Sequence, residues 1–331
     1  MILVTGATGF IGRRLVGQLA RLKGKEEIIC LVHEKSDSEL EKTGRDIIKK
    51  HGISSIPVDL LTKSGLENAP KFPRVIFHLA AITDTAVKDH SINNIGTKNL
   101  LEAIGPLNKD THFVYTSSIA INDNRKDYSV PVDESTPVPE HPCNEYGRKK
   151  LLTEQYLIQK SKEQGFSLSI VRISCVYGEG SKKDGLFDGT KKMVLKGSIL
   201  TRINWPGKMS LINVDDMASF LIQVSQRKPN SGNYEIYIPS IEVLTLAEMS
   251  KIVHEAYGLK YKSINFPSWF WNFCSFFAKR KYIFEILPHK LYNKFWQACI
   301  LVNNEYWNNS KKINKFFTAR KPTKFKDYYG K

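Results

Sequence analysis

The 331-residue sequence has few cysteines, no long apolar run and, over residues 251–331, few acidic residues. Its five cysteines include no C-x-x-C pair, which argues against a disulfide framework and a zinc site, so no metal is expected. No apolar run approaches the ~20 residues that cross a bilayer, and no secretory leader precedes the first predicted strand. We therefore expect a globular cytoplasmic protein.

The acid-poor stretch is also rich in aromatic residues. Residues 251–331 hold 16 Lys and Arg against 4 Asp and Glu, which is +12 of the net charge of +16, and residues 268–277 hold six aromatic side chains. Such a segment can pack in a core, line an apolar pocket or lie on an anionic membrane. Peripheral contact with the inner membrane face and a homodimer remain open. No nucleic-acid partner is expected, because no groove-reading motif accompanies the charge.

Short β-branched runs alternate with amphipathic stretches over the first 175 residues. The predicted strands are residues 2–5, 27–33, 54–57, 75–79, 112–116 and 167–173, with helices at 11–22, 92–104 and 144–162. This alternation predicts an α/β fold, a Rossmann-type doubly wound parallel sheet over residues 1–174, to which a strand near 234–238 returns. A smaller, mostly helical substrate-binding domain is expected over residues 175–331. Residues 123–143 are predicted to form a long loop.

A glycine-rich turn, Thr5-Gly6-Ala7-Thr8-Gly9-Phe10-Ile11-Gly12, follows the first predicted strand and opens the first helix. Glycines at this spacing allow a tight turn, close approach of the backbone to a pyrophosphate and close packing of helix on strand. The helix N-terminus adds free N–H groups and a positive dipole end. The expected dinucleotide contacts are Gly6, Thr8, Gly9, Phe10, Ile11 and Gly12.

The end of the second predicted strand should select the nicotinamide cofactor. His33 lies where an acidic residue would bind the ribose of NAD, and Lys35 follows it, so we expect NADP(H). Glu34 lies between them and keeps NAD(H) open as the alternative. Further cofactor contacts are expected at the ends of the third and fourth strands: Asp59, Leu60, Leu79, Ala80 and Ala81.

A phenol and an ammonium are placed one helical turn apart by Tyr146 and Lys150. A free tyrosine, with a pKa of about 10, is a poor base at neutral pH, and a nearby lysine cation should lower that pKa. Tyr146 could then exchange a proton with a substrate oxygen, while Lys150 also holds the nicotinamide ribose. Ser117 and Ser118 end the fifth predicted strand, and only one of these hydroxyls can face the cofactor.

Taken in order, these motifs resemble the extended short-chain dehydrogenase/reductases, the NAD-dependent epimerase/dehydratase family, over about residues 1–240. The resemblance implies that Ser118, rather than Ser117, is the catalytic hydroxyl beside Tyr146 and Lys150. It also implies that Asn93 bends its helix and holds an active-site water. The last third looks loosely like the 3β-hydroxysteroid dehydrogenase and dihydroflavonol reductase branches.

Two departures from that family bear on the reaction. Ile119-Ala120 stands where dehydratases carry an Asp-Glu pair, so dehydration is not expected, and Lys208 is the only cation just before Val214, where epimerases carry an arginine. We expect an NAD(P)-dependent oxidoreductase that interconverts a ketone and a secondary alcohol on an apolar or lipid-linked small molecule. A sugar-nucleotide epimerase is the alternative. The intact Ser118, Tyr146 and Lys150 argue against a non-catalytic scaffold.

Overall fold

The computed structural model of the chain describes residues 1–22, 27–33, 38–183, 185–310, 312–317 and 321–329. The chain divides into two compact units. Unit 1 comprises Met1–Ser118, Glu145–Ile173 and Val214–Tyr237, and unit 2 comprises Ile119–Asn144, Ser174–Asn213 and Ile238–Lys331. Residues 119–144 thus group with unit 2, and residues 214–237 group with unit 1.

The described residues form ten strands, numbered in chain order: β1 (Ile2–Thr5), β2 (Ile28–Val32), β3 (Ser54–Pro57), β4 (Val75–His78), β5 (His112–Ser118), β6 (Ser167–Ile173), β7 (Cys175–Tyr177), β8 (Lys208–Asn213), β9 (Tyr234–Tyr237) and β10 (Glu242–Thr245). Seven of them make the parallel sheet of unit 1, in the order β3-β2-β1-β4-β5-β6-β9. β9 occupies the stretch expected to return a strand to this sheet.

The helices are α1 (Gly12–Arg21), α2 (Glu39–Lys50), α3 (Ile95–Ile104), α4 (Glu145–Gln164), α5 (Leu186–Leu195), α6 (Val214–Ser225), α7 (Leu246–Ala256), α8 (Ser268–Ala278), α9 (His289–Val302) and α10 (Phe325–Tyr329). In unit 1 the strand residues Leu3, Ile76, Phe113 and Ile170 are fully buried. Such continuous apolar strands are typical of a parallel sheet covered on both faces. The predicted Rossmann-type fold is confirmed.

Packing of α6 against α1 explains why residues 214–225 belong to unit 1. The Gln18 side chain of α1 donates to the Asp215 carbonyl at 2.9 Å, and the Ser219 hydroxyl donates to the Gln18 amide oxygen at 2.9 Å. A helix later in the chain thereby covers the first helix of the sheet.

Unit 2 has a smaller sheet in the order β10-β8-β7, in which β10 runs antiparallel to β8. Its core includes Tyr177, Leu211 and Trp296. The Asp123 carboxylate joins the two ends of the predicted loop, accepting hydrogen bonds from the Cys143 N–H at 2.7 Å and from the indole N–H of Trp296 at 3.1 Å. Within the described residues, no helix combines the length and the apolar character needed to cross a bilayer.

Candidate active site

The site lies within unit 1, at the carboxyl ends of the parallel strands, where open α/β sheets bind their ligands. Ser118 is the last residue of β5, and Tyr146 and Lys150 lie in the first two turns of α4. Asn93 lies in a short 3-10 turn before α3. The four residues predicted to be catalytic therefore all belong to this unit.

Lys150 is held by the strand beside it. It is almost fully buried, its Nζ donates to the Thr116 carbonyl at 2.8 Å, and it lies 4.9 Å from the centroid of the Tyr115 ring. Burial lowers the pKa of Lys150 to about 7, and the nearby Glu154 carboxylate opposes that shift. Near neutral pH the side chain is thus divided between its charged and neutral forms.

The structure brings Tyr146 and Ser118 together. The Ser118 hydroxyl makes a side-chain hydrogen bond with the Tyr146 phenol. The hydroxyl of Ser117, the preceding residue of β5, has no hydrogen-bond partner among the described residues. The Lys150 Nζ lies 5.9 Å from the centroid of the Tyr146 ring. A hydroxyl, a phenol and an ammonium therefore converge at one edge of the sheet.

The shift in the Tyr146 pKa differs from the one expected from a neighbouring cation. Burial raises the pKa of Tyr146 to about 12, although the hydrogen bond with Ser118 opposes the rise. In the free protein, burial of the phenol outweighs the charge of Lys150, whose own pKa burial lowers to about 7. Without cofactor, Tyr146 is a neutral proton donor at physiological pH.

Glu154, one turn beyond Lys150, forms a buried ion pair with Arg172 of β6. The Arg172 Nη2 lies 2.8 Å from one Glu154 oxygen, and its Nε lies 3.1 Å from the other. The Glu154 side chain is only 2% exposed and the Arg172 side chain 5% exposed. Glu154 was not predicted from the sequence. The available signal was its position four residues after Lys150, which places it on the same helical face.

A second residue that sequence reasoning missed is His90. Its ring is buried 5.6 Å from the Tyr146 ring, and its Nδ1 lies 3.1 Å from the Ile82 carbonyl. Its position in the segment after β4, three residues before Asn93, was the available signal. His90 is one wall against which the Tyr146 ring packs.

Asn93 fixes the segment that follows β4. Its side-chain oxygen accepts from the Ile82 N–H at 2.8 Å, and its side-chain nitrogen donates to the Ile82 carbonyl at 2.9 Å. Its own carbonyl accepts from the Thr153 hydroxyl of α4 at 2.7 Å. Asn93 therefore connects the post-β4 segment to the helix that carries Tyr146, and its implied role in holding a water stays a prediction.

The glycine turn has the close packing that a dinucleotide site requires. Gly6 has φ +68°, and a Cβ there would lie 2.6 Å from the Ala80 N–H nitrogen; a Cβ at Gly12 would lie 2.0 Å from the Gly6 carbonyl oxygen. The turn leads directly into α1, where the Arg13 N–H donates to the Gly9 carbonyl at 3.0 Å. These features fit a bound pyrophosphate, with the backbone of Gly6–Gly12 around it.

Other predicted contacts lie around this turn. Thr8 is buried and packs closely against α2, since a Cβ added to Gly44 of that helix would lie 2.4 Å from the Thr8 Cα. The Arg13 guanidinium lies 5.8 Å from the centroid of the Phe10 ring. The Ala80 N–H donates to the Thr5 hydroxyl at 3.2 Å, which holds the end of β4 against the turn. Leu79 and Ala81 flank Ala80 and are partly exposed.

Just after the ends of β2 and β3, His33 and Asp59 lie together. His33 Nε2 is 3.8 Å from a carboxylate oxygen of Asp59, and both side chains are partly exposed. Burial acts to raise the pKa of Asp59, but hydrogen bonds from Thr62 and Leu61 and the charge of His33 lower it. The adjacent Leu60 is buried, and its carbonyl accepts from the Asn99 amide at 2.8 Å. Lys35 lies outside the described residues.

Comparison with known proteins identifies the family. The model of the NAD dependent epimerase/dehydratase family matches residues 2–238. Tetraketide alpha-pyrone reductase 1 of Arabidopsis thaliana is 26% identical over 280 residues, which cover 81% of this chain and 83% of that protein. A putative UDP-glucose 4-epimerase of Methanocaldococcus jannaschii is 30% identical over 197 residues, which cover 56% of this chain and 59% of that protein.

Among solved structures, UDP-glucuronic acid 4-epimerase from Bacillus cereus, in complex with UDP-glucuronic acid and NAD, aligns with a TM-score of 0.73. The alignment covers 99% of this chain and 96% of that one, at 19% identity. At this identity the likeness concerns the fold.

Proposed function

The chain belongs to the NAD-dependent epimerase/dehydratase family of extended short-chain dehydrogenase/reductase enzymes, and from that premise we propose that it interconverts a ketone and a secondary alcohol. The observation that carries the proposal is the group of Ser118, Tyr146 and Lys150 in the same unit as a closely packed glycine turn that opens a helix. The turn that would bind the hydride-carrying dinucleotide and the proton donor Tyr146 belong to the same unit, and both would have to act on one substrate carbonyl.

In the reductive direction, the residues of this chain manage the proton and the charge on the substrate oxygen. When bound, a reduced nicotinamide dinucleotide would supply the hydride. Tyr146, neutral in the free protein because burial raises its pKa, donates its phenolic proton to that oxygen. The Ser118 hydroxyl donates a hydrogen bond to the same oxygen as negative charge develops. Lys150, held by the Thr116 carbonyl, stabilises the phenolate that remains.

We propose an apolar or lipid-linked substrate. Ile119 and Ala120, which follow Ser118, are buried and offer no acid–base pair for removing water. Similarity to an alpha-pyrone reductase over most of its length supports reduction of a compound without a nucleotide. The alternative is epimerisation of a sugar nucleotide. Its support is the 30% identity to a putative UDP-glucose 4-epimerase over about half of each chain.

We propose NADP(H) as the preferred cofactor and NAD(H) as the alternative. His33 stands at the end of β2, where an acidic residue would bind the ribose of NAD. Its partly exposed imidazole and the nearby Lys35 of the sequence suit a 2′-phosphate. Titration of both dinucleotides against the wild-type protein and the Lys35→Glu variant tests this. Tighter binding of NAD by wild type, or no effect of the substitution, would contradict it.

The reaction is tested by following the reduced-nicotinamide absorbance with a panel of apolar ketones and with sugar nucleotides. A reductase oxidises the dinucleotide stoichiometrically with the alcohol formed. An epimerase converts a sugar nucleotide with no net change in absorbance, and that outcome would overturn the proposed reaction in favour of the alternative. Tyr146→Phe should lower either activity by about 10²–10⁴-fold and serves as the background control.

A further inference from the structure

Helix α8 of unit 2 packs only one of its apolar faces. Ala278 is buried on the inner face, and the Ser275 hydroxyl donates to the Asn303 side-chain oxygen at 2.8 Å. Trp271, on the same face, lies 5.5 Å from Trp205, centroid to centroid. Positions 271, 275 and 278 lie on one face of the helix, and the contacts of this inner face hold α8 against the rest of unit 2.

The opposite stripe consists of large aromatic side chains exposed to solvent. Trp269 is 70% exposed, Phe273 60% and Phe276 52%, and Phe277 beside them is 38% exposed. We call these four side chains the aromatic face of α8. A helix that is apolar all round is normally buried, and exposed apolar patches mark interaction surfaces. The aromatic face therefore lacks its partner within the described part of unit 2.

Cations border this face. Lys279 and Arg280 follow directly and are exposed, and the Arg280 guanidinium lies 3.8 Å from the centroid of the Phe276 ring. Helix α8 itself contains no acidic residue, although the Asp127 carboxylate of unit 2 is close enough to Lys279 to interact with its charge. The surface thus combines aromatic rings with a positively charged border.

We propose that the aromatic face of α8 docks on an anionic lipid bilayer. Aromatic side chains with neighbouring Lys and Arg are the composition of helices that lie in the membrane interface, where rings enter the acyl boundary and cations meet anionic headgroups. At eleven residues, α8 is about 16 Å long, which suits a helix lying in the membrane plane. A second copy fits less well, because a twofold contact would bring the two positive borders together.

The experiment is co-sedimentation of the full chain with vesicles of phosphatidylcholine alone or mixed with phosphatidylglycerol, at low and high salt. We expect binding to the anionic vesicles that weakens as salt rises. Lys279→Gln with Arg280→Gln should weaken it about 25-fold, from about fivefold per cation. Trp269→Ser with Phe273→Ser should weaken it at least about tenfold, since both rings leave the interface.

Matched controls separate this surface from general effects. Ile199→Ser removes an apolar side chain that is 63% exposed elsewhere in unit 2, and Lys49→Gln with Lys50→Gln removes two cations from unit 1. Both should bind vesicles as wild type does. Brominated lipids should quench tryptophan fluorescence in wild type and quench less in Trp269→Phe, a variant that keeps an aromatic ring and tests the contact even if the serine variants misfold.

Three results would overturn the proposal: no binding to anionic vesicles at low salt, equal binding to neutral vesicles, or control variants that lose binding as strongly as those of the aromatic face. A concentration-dependent dimer that dissociates in Trp269→Ser with Phe273→Ser, without vesicle binding by wild type, would assign the face to a second copy. Dinucleotide binding, measured in parallel, shows whether the variants are folded and is expected to stay unchanged.

Discussion

Glu154→Gln tests how the buried ion pair supports the site. The substitution removes the charge that faces the Arg172 guanidinium, and the two side chains are 2% and 5% exposed, so water cannot replace the lost partner. Breaking a buried pair by removing one charge costs about 3–5 kcal/mol, against about 5–15 kcal/mol for the whole stability of a typical domain. The Glu154 carboxylate also raises the pKa of Lys150, so its loss should move that pKa below about 7.

The assay is urea unfolding followed by the pH dependence of kcat/KM. Glu163→Gln is the control on the same helix, because Glu163 pairs with Lys160 at 2.7 Å in solvent, where such a pair contributes less than about 1 kcal/mol. Glu154→Leu with Arg172→Met should recover stability but not the pH profile, since an apolar pair can replace a buried ion pair. If Glu154→Gln were as mild as Glu163→Gln in both measurements, the reasoning would be refuted.

Three further predictions concern the turn, the lysine and the loop. Gly6→Ala should weaken dinucleotide binding at least about tenfold, because Gly6 has φ +68° and the added Cβ would lie 2.6 Å from the Ala80 nitrogen. Gly17→Ala is the control in the same titration and should bind as wild type, because its added Cβ would have no neighbour nearer than 3.9 Å. For ketone reduction, kcat/KM should fall as pH rises through about 7, because Lys150 loses its proton there, and a flat profile would contradict that assignment. Asp123→Ala should destabilise the chain by about 1–3 kcal/mol in thermal unfolding, since it leaves buried donors unpaired; an unchanged Tm would refute this role.

Much of unit 1 was predictable because its strands are continuous apolar runs between turns. Strands β1 and β3 have the predicted bounds, and β5 extends two residues further, to Ser118. The small sheet of unit 2 was missed, because β7 and β10 are only three and four residues long and mostly half-exposed, so neither has a clear periodic pattern. Helix α6 was missed as part of unit 1 because contacts between distant segments, such as Gln18 with Asp215, leave no local signal.

Some residues of the candidate site could likewise be predicted from the sequence and others could not. Tyr146 and Lys150 were predicted from their spacing on one helical face, whereas Ser118 was chosen over Ser117 only because the family resemblance implied it. The direction of the Tyr146 pKa shift was not predictable, because it depends on how deeply both the phenol and the Lys150 ammonium are buried. His90 was missed for a similar reason, since its proximity to Tyr146 arises from the fold of the segment after β4.

Single-turnover oxidation of the reduced dinucleotide by Tyr146→Phe, with dinucleotide affinity measured on the same sample, tests the central claim most directly. Phenylalanine keeps the ring against His90 and removes the proton donor. We expect nearly unchanged affinity and a rate of ketone reduction lower by about 10²–10⁴-fold, the usual contribution of general acid catalysis. A variant that binds dinucleotide and keeps most of the wild-type rate would contradict the assignment of Tyr146 as the proton donor.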